Sequence, residues 1–255
     1  MSIEPPVKIY LTGRLTVEGP EGAFDESALP GNQARVALAA LVHDRMQLSR
    51  DSLADRVWGE QLPEGWSGSL SALISKTRSL LAGCGLDAKA ILRSAAGSYE
   101  VTLPPGGWVD LEDAIRRLDR SEGHLRHGDL AAALPDATVA SAILRRPFLR
   151  GSDGEWVDDV RRRNDAALYR CYEVLSEGWR AQGDHGLAAI VASQAIELDP
   201  FHETGHRLLM EAELARGDAI AALRAFDRCE RMVMTEFGAS PSQRTCELAK
   251  RARRL

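Results

Sequence analysis

The chain has 255 residues, 44% of them hydrophobic and 27% charged, which suits a folded protein long enough to bury two cores. Its formal net charge of −5 excludes polyanion binding by the whole surface, so any nucleic-acid contact must come from a local patch. The N-terminus lacks the basic, apolar, small-residue order of a signal peptide and no apolar run approaches the ~18 residues of a membrane span, so a cytoplasmic protein with no membrane partner is expected.

Residues 7–17, VKIYLTGRLTV, alternate and are rich in β-branched and aromatic side chains around Thr12-Gly13-Arg14, which predicts two short strands or a hairpin. A loop follows from Glu18 to Gly31, with one further short strand around Ala23-Phe24. The run ARVALAALV, 34–42, is almost wholly apolar and predicts a helix buried on most sides, ending near His43-Asp44. Ser49 then caps a second helix, with Asp51 near its positive end and Leu53, Val57 and Trp58 facing inward.

The third helix is expected over WSGSLSALISKTRSLLAG, 66–83. Leu70, Leu73, Ile74, Thr77, Leu80 and Leu81 fall on one face at helical spacing. The opposite face carries Gly68, Ala72, Ser75 and Ser79, flanked by Lys76 and Arg78, with no acidic residue in the stretch. Short hydroxylated side chains edged by cations suit the major groove, where cations meet phosphates and small groups approach base edges. An amphipathic helix with two basic residues is also what an ordinary solvated surface provides. After it, residues 91–103 read as strand, glycine-containing turn, strand, a hairpin able to serve as a wing.

Pro104-Pro105-Gly106-Gly107 breaks both strand and helix and predicts a linker at which the two halves separate. Everything beyond Asp110 reads as helix. Gly128-Asp129, Gly183-Asp184 and Gly217-Asp218 each open an alanine-rich helix, and the last two lie one tetratricopeptide period apart. Ala188, Ala195 and Pro200 follow the second copy as packing positions and terminator, and Ala222 and Phe226 follow the third. Pro135 lies inside the first copy, where a kink or break is expected. Repeats of this kind stack into a concave interaction surface.

These segments carry a resemblance. RVALAALV, DSLADRVWGEQLPEG, SLSALISKTRSLL and GSYEV look like the OmpR-type winged helix of the Streptomyces antibiotic regulatory protein (SARP) type of activators. PFLRGSDGEWVDDVRRRNDAALYRCYEVLS, DPFHETGHRLLMEAELARGD and RAFDRCERMVMTEFGASPS resemble the bacterial transcriptional activation domain that follows it in that family. The resemblance implies an α+β winged helix-turn-helix at 1–105 and an all-α, tetratricopeptide-like domain at 110–255. It implies a transcriptional activator that binds promoter DNA through Ser71, Ser75, Lys76, Arg78 and Ser79, with Arg35, Arg50 and Arg93 on phosphates. The loop from Gly59 to Trp66, with Trp58, Glu60, Glu64 and Trp66, resembles the segment that touches RNA polymerase. The helical domain would hold a second copy or another protein.

Other chemistry finds less support. His202-Glu203-Thr204-Gly205-His206 matches the zincin pattern, but it follows a helix terminator inside a repeat and lacks a third histidine, so no metal is expected. His124 and His127 read as exposed helix residues, and Trp156, Trp179 and Tyr172 as packing between helices. No nucleophile elbow, P-loop or dinucleotide motif is present, so neither catalysis nor a cofactor is expected. Cys84, Cys171, Cys229 and Cys246 are widely spaced and read as reduced thiols. A rival reading is an interaction adaptor whose winged helix has lost strong DNA affinity.

Overall fold

The computed structural model describes residues 7–255; the first six residues of the expected DNA-binding domain and N-terminal segment lie outside them. The chain forms two compact units. The first runs to Ala114 and takes in Ile143–Asn164, and the second comprises Ile115–Ala142 and Asp165–Leu255.

In the first unit, β1 (Lys8–Tyr10) and β2 (Thr16–Gly19) form the expected antiparallel hairpin, and β3 (Gly22–Asp25) pairs with β2. Alternation buries Val7, Ile9, Leu11, Leu15 and Val17, as a sheet with one covered face requires. The apolar run becomes α1 (Gly31–Asp44), with residues 36–42 buried throughout. After the short strand β4 (Leu48–Ser49) comes α2 (Arg50–Trp58), capped by Ser49, whose Oγ accepts from the Ser52 amide at 3.0 Å. Such a cap contributes about 1 kcal/mol. Leu53 is fully buried, whereas Val57 and Trp58 are half-buried.

Helix α3 spans Trp66–Gly83 and buries Leu70, Ile74, Thr77 and Leu81 against α1 and α2. A four-residue helix, α4 (Ala88–Ile91), leads into the wing, β5 (Leu92–Ala95) and β6 (Ser98–Val101). The wing turns at Ala96-Gly97, both at positive φ (47° and 77°), the conformation of a two-residue primed turn, in which glycine carries no side-chain penalty. β6 lies between β4 and β5 in a three-stranded sheet.

Three short elements, β4, α4 and β7 (Trp108–Val109), were not legible from the sequence. β7 corrects the expected linker: it pairs in parallel with β1, Lys8 opposite Trp108 and Ile9 opposite Val109. Pro104–Gly107 is therefore a turn inside the first unit, ahead of a sheet strand. The following residue, Asp110, is fully buried. Its carboxylate accepts from the amides of Leu11 (2.8 Å), Thr12 (3.0 Å) and Leu111 (2.8 Å) and from Thr12 Oγ1 (2.7 Å).

The remaining helices are α5 (Asp110–Arg126), α6 (Leu130–Leu144), α7 (Glu155–Ala181), α8 (His185–Leu198), α9 (Glu203–Arg216), α10 (Ala219–Phe237) and α11 (Gln243–Ala252). The Gly-Asp pairs work as a stop and a start. Gly183 and Gly217 take left-handed φ at 88° and 83°, closing one helix, and the next aspartate caps the helix that follows. Asp184 accepts from the Leu187 amide and Asp218 from the Ala221 amide, at 3.0 and 2.8 Å. Asp129 does the same for Ala132 at 3.2 Å. Of the kink or break expected at Pro135, the break does not occur: α6 is continuous through it, losing one amide donor within its second turn without ending there. In the second unit Ala188, Ala192, Ala222 and Phe226 are buried with Leu209 and Met210 in one apolar cluster. The alanines among them let α8, α9 and α10 pack closely. Among the described residues no helix is long and apolar enough to cross a membrane.

Candidate nucleic-acid interface

Burial of Leu70, Ile74, Thr77 and Leu81 fixes which side of α3 faces outward. Ser71, Ser75, Lys76 and Ser79 are all exposed there, beside Gly68 and Ala72. Two hydroxyls are held against the helix itself: Ser71 Oγ donates to the Ser67 carbonyl at 2.9 Å and Ser79 Oγ to the Ser75 carbonyl at 3.2 Å. Ser79 Oγ keeps its acceptor capacity for an incoming donor, whereas Ser71 Oγ already accepts from Arg50 Nη2 at 3.0 Å and has one lone pair left. Lys76 has no ion-pair or hydrogen-bond partner among the described residues, so its ammonium is available to an anion.

The arginines expected to contact DNA are placed differently. Arg50 opens α2 and donates to Tyr99 Oη (2.6 Å), the Ser67 carbonyl (2.6 Å), Ser67 Oγ (2.8 Å) and Ser71 Oγ (3.0 Å). Its guanidinium also lies over the Tyr99 ring, 5.5 Å from the centroid. One side chain thus joins α2, the first turns of α3 and the wing. Arg78 is half-buried and bonded to β5, through the Leu92 carbonyl and Ser94 Oγ. Arg35, with 16% of its side chain exposed, pairs with Glu26 at 3.3 Å and donates to the Arg150 carbonyl at 2.9 Å. A phosphate contact would have to break that pair, so Arg35 is a pin within the first unit. Arg93 is exposed on the wing but stands directly across the ladder from Glu100, which offsets part of its charge. Lys89, exposed on α4 and without a partner among the described residues, carries no sequence signal because the four-residue helix that presents it has none.

Between α2 and α3 the segment from Gly59 to Gly65 is exposed, Glu60 and Glu64 included, while Trp58 and Trp66 are half-buried at its two ends. Nearby in α2, Arg56 pairs with Asp44. Burial pushes the Asp44 carboxyl up, but the His43 hydrogen bond and the Arg56 charge outweigh it and hold the group below its usual range.

The zincin-like residues of the second unit are occupied otherwise. Glu203 accepts from Thr245 Oγ1 (2.6 Å), Ser242 Oγ (2.8 Å) and the Ser242 amide (3.0 Å). His206 is buried, with Nε2 3.1 Å from the Pro200 carbonyl, and desolvation lowers its pKa. Among the described residues no three His, Cys, Asp or Glu side chains gather as a metal site requires.

Comparison with known proteins places these features in context. The profile of the bacterial transcriptional activator domain matches residues 109–253. The regulatory protein AfsR of Streptomyces coelicolor is 26% identical over 242 residues, covering 93% of this chain and 24% of AfsR. The transcriptional regulatory protein EmbR of Mycobacterium tuberculosis is 34% identical over 71 residues, covering 28% of this chain and 18% of EmbR. A structure of M. tuberculosis EmbR in complex with a low-affinity phosphopeptide superposes with a TM-score of 0.88 at 21% identity, over 98% of this chain and 66% of that one. The fold is shared across nearly the whole chain, although the chain spans only about a quarter or less of the length of these curated relatives.

Proposed function

We propose, from the premise that the chain belongs to the bacterial transcriptional activator domain family, that it is a sequence-specific transcriptional activator of the cytoplasm. The winged helix, up to residue 105, binds promoter DNA. The helical domain, 110–255, holds a second copy or a partner protein. One observation carries the DNA reading: α3 turns Ser71, Ser75, Lys76 and Ser79 outward together, with no acidic side chain in the helix, beside a two-stranded wing. Ser71, Ser75 and Ser79 read base edges, and Lys76 and Arg93 meet phosphates, joined by Lys89. Arg50, Arg78 and Arg35 hold the elements that present these groups. Arg50 orders the first turn of α3, and Arg78 orders the wing.

Trp58, Glu60, Glu64 and Trp66 form the surface that recruits RNA polymerase. Two exposed carboxylates between DNA-binding helices would be repelled by phosphates, so they suit a basic protein surface. The adaptor reading draws on a specific observation too: Arg35, Arg50 and Arg78 are bonded within the first unit, which leaves few free cations for DNA.

A gel-shift titration on the upstream region of the neighbouring genes, at two salt concentrations, separates these readings. Specific retention that weakens steeply with salt is expected. Retention equal to that of an unrelated duplex would favour the adaptor. Transcription in vitro from the retained promoter then tests activation.

A further inference from the structure

The first unit carries an open cleft of ≈ 540 Å³ between the end of α2 and the start of α7. Trp58 and Trp156, both half-buried, line it. Asp55 and Glu60 stand on one wall, and Asp153 and Glu155 on the other. All four carboxylates are exposed, and none has an ion-pair or side-chain hydrogen-bond partner among the described residues. Arg56, the one cation among the lining residues, is paired with Asp44 and lies 5.8 Å from the Trp156 ring centroid. Asp159, deeper along α7, is paired with Arg162.

Four uncompensated carboxylates around two indoles select their occupant by charge. Nucleic acid is repelled, as is any acidic segment. A guanidinium is attracted twice, because it stacks on an aromatic ring, as Arg56 already does on Trp156, and forms bidentate bonds to carboxylates. An ammonium matches the charge but not the planar stacking. We propose that this cleft docks an arginine-bearing segment of RNA polymerase. This rests on the reading of the 59–66 loop as a polymerase contact and extends it with a second wall, Asp153 and Glu155, from a part of the chain about ninety residues away.

The test uses the full chain with Asp153→Asn and Glu155→Gln together, neutral and nearly isosteric changes at exposed positions. Binding of polymerase holoenzyme to promoter DNA already carrying the protein should weaken about tenfold, the scale set by losing close interfacial charge pairs. Promoter affinity and melting temperature should not change. Asp153→Arg with Glu155→Arg should weaken recruitment further. If both pairs leave recruitment intact while Glu60→Gln with Glu64→Gln reduces it, the cleft proposal is overturned and the loop reading stands. If none of the three reduces it, the loop reading fails as well. A labelled peptide of alternating arginine and alanine should bind the wild-type chain more tightly than its lysine counterpart and lose that advantage in the Asn/Gln variant. Equal binding of the two peptides by the wild type would overturn the stacking argument and the proposal with it.

Discussion

Arg78 donates to the Leu92 carbonyl from both Nε and Nη2, at 2.9 and 2.7 Å, and Nη2 also reaches Ser94 Oγ at 2.6 Å. Leu92 opens β5, the edge strand of its sheet, where carbonyls facing away from the ladder have no strand partner. The guanidinium supplies one and fixes the wing relative to α3. Under the proposed function, its part in DNA binding is therefore positional.

Lys76 and Arg78 should accordingly separate in a salt titration. Lys76→Ala should flatten the slope of log affinity against log salt by about 0.9, the loss of one phosphate contact. Arg78→Ala should leave that slope unchanged. It should weaken binding and lower stability by about 1–2 kcal/mol, because two charged hydrogen bonds to the Leu92 carbonyl disappear. Arg78→Lys should restore little, since an ammonium cannot make the planar double contact. Gel shifts at several salt concentrations with thermal melts check this. Equal flattening by both alanine variants would return Arg78 to the phosphate contacts.

The order of elements was readable because it rests on local signals: strong apolar periodicity in α1 and α3, the Ser49 cap, and the repeated Gly-Asp stop and start. What escaped depends on partners distant in sequence. β7 has two residues and is a strand only because β1 lies beside it; the sequence there shows only prolines and glycines before a tryptophan. The outward face of α3 was legible from spacing, since burying one side exposes the other. The commitments of Arg35, Arg50 and Arg78 were not, because their acceptors are backbone carbonyls and the side chains of residues on other elements, which only the folded chain brings within reach.

Acid should reveal what Glu203 does. Burial raises its pKa, but bonds from the side chains of Thr245 and Ser242 and from the Ser242 amide outweigh this and leave it below the usual glutamate range. A carboxyl with a depressed folded pKa contributes stability that is present above its unfolded value and lost as pH falls through the folded one. Glu203→Gln should therefore melt lower than wild type at neutral pH, with the gap closing as pH drops through and below the ordinary glutamate range. A gap constant with pH would mean the carboxylate charge is not what holds α9 to α11.

Thiol reactivity should divide the four cysteines. Desolvation pushes Cys171 up to about 12 and Cys229 to about 11, and raises Cys84 as well. All three are buried, whereas Cys246 is half-buried. Because the thiolate is the reacting species, native protein treated with a thiol reagent near neutral pH should be labelled at Cys246 first, with the others protected until unfolding. Peptide mass spectrometry identifies the site, and early labelling at Cys171 or Cys229 would mean those helices open more readily than their packing implies.

The boundary of the first unit is held by Asp110. Asp110, fully buried, satisfies the Leu11, Thr12 and Leu111 amides and the Thr12 hydroxyl, and Arg146 Nη2 lies 3.7 Å from its Oδ2. Thr12 also bridges to Phe148, and the Gly13 amide donates to the Pro147 carbonyl at 2.8 Å. The bend of the first hairpin thus depends on residues beyond the Pro104–Gly107 turn. Asp110→Ala should destabilise the unit by about 3–5 kcal/mol, since several buried donors lose their acceptor at once. Asp110→Asn should also cost stability, because its amide must turn a donor toward donors. A fragment ending at residue 103 lacks β7, Asp110 and Ile143–Asn164, and should melt without a cooperative transition. A fragment ending at residue 164 contains the whole unit and should unfold cooperatively. Circular dichroism melts of the two fragments decide the matter: a sharp, reversible transition in the shorter one would show that the winged helix folds without these later residues.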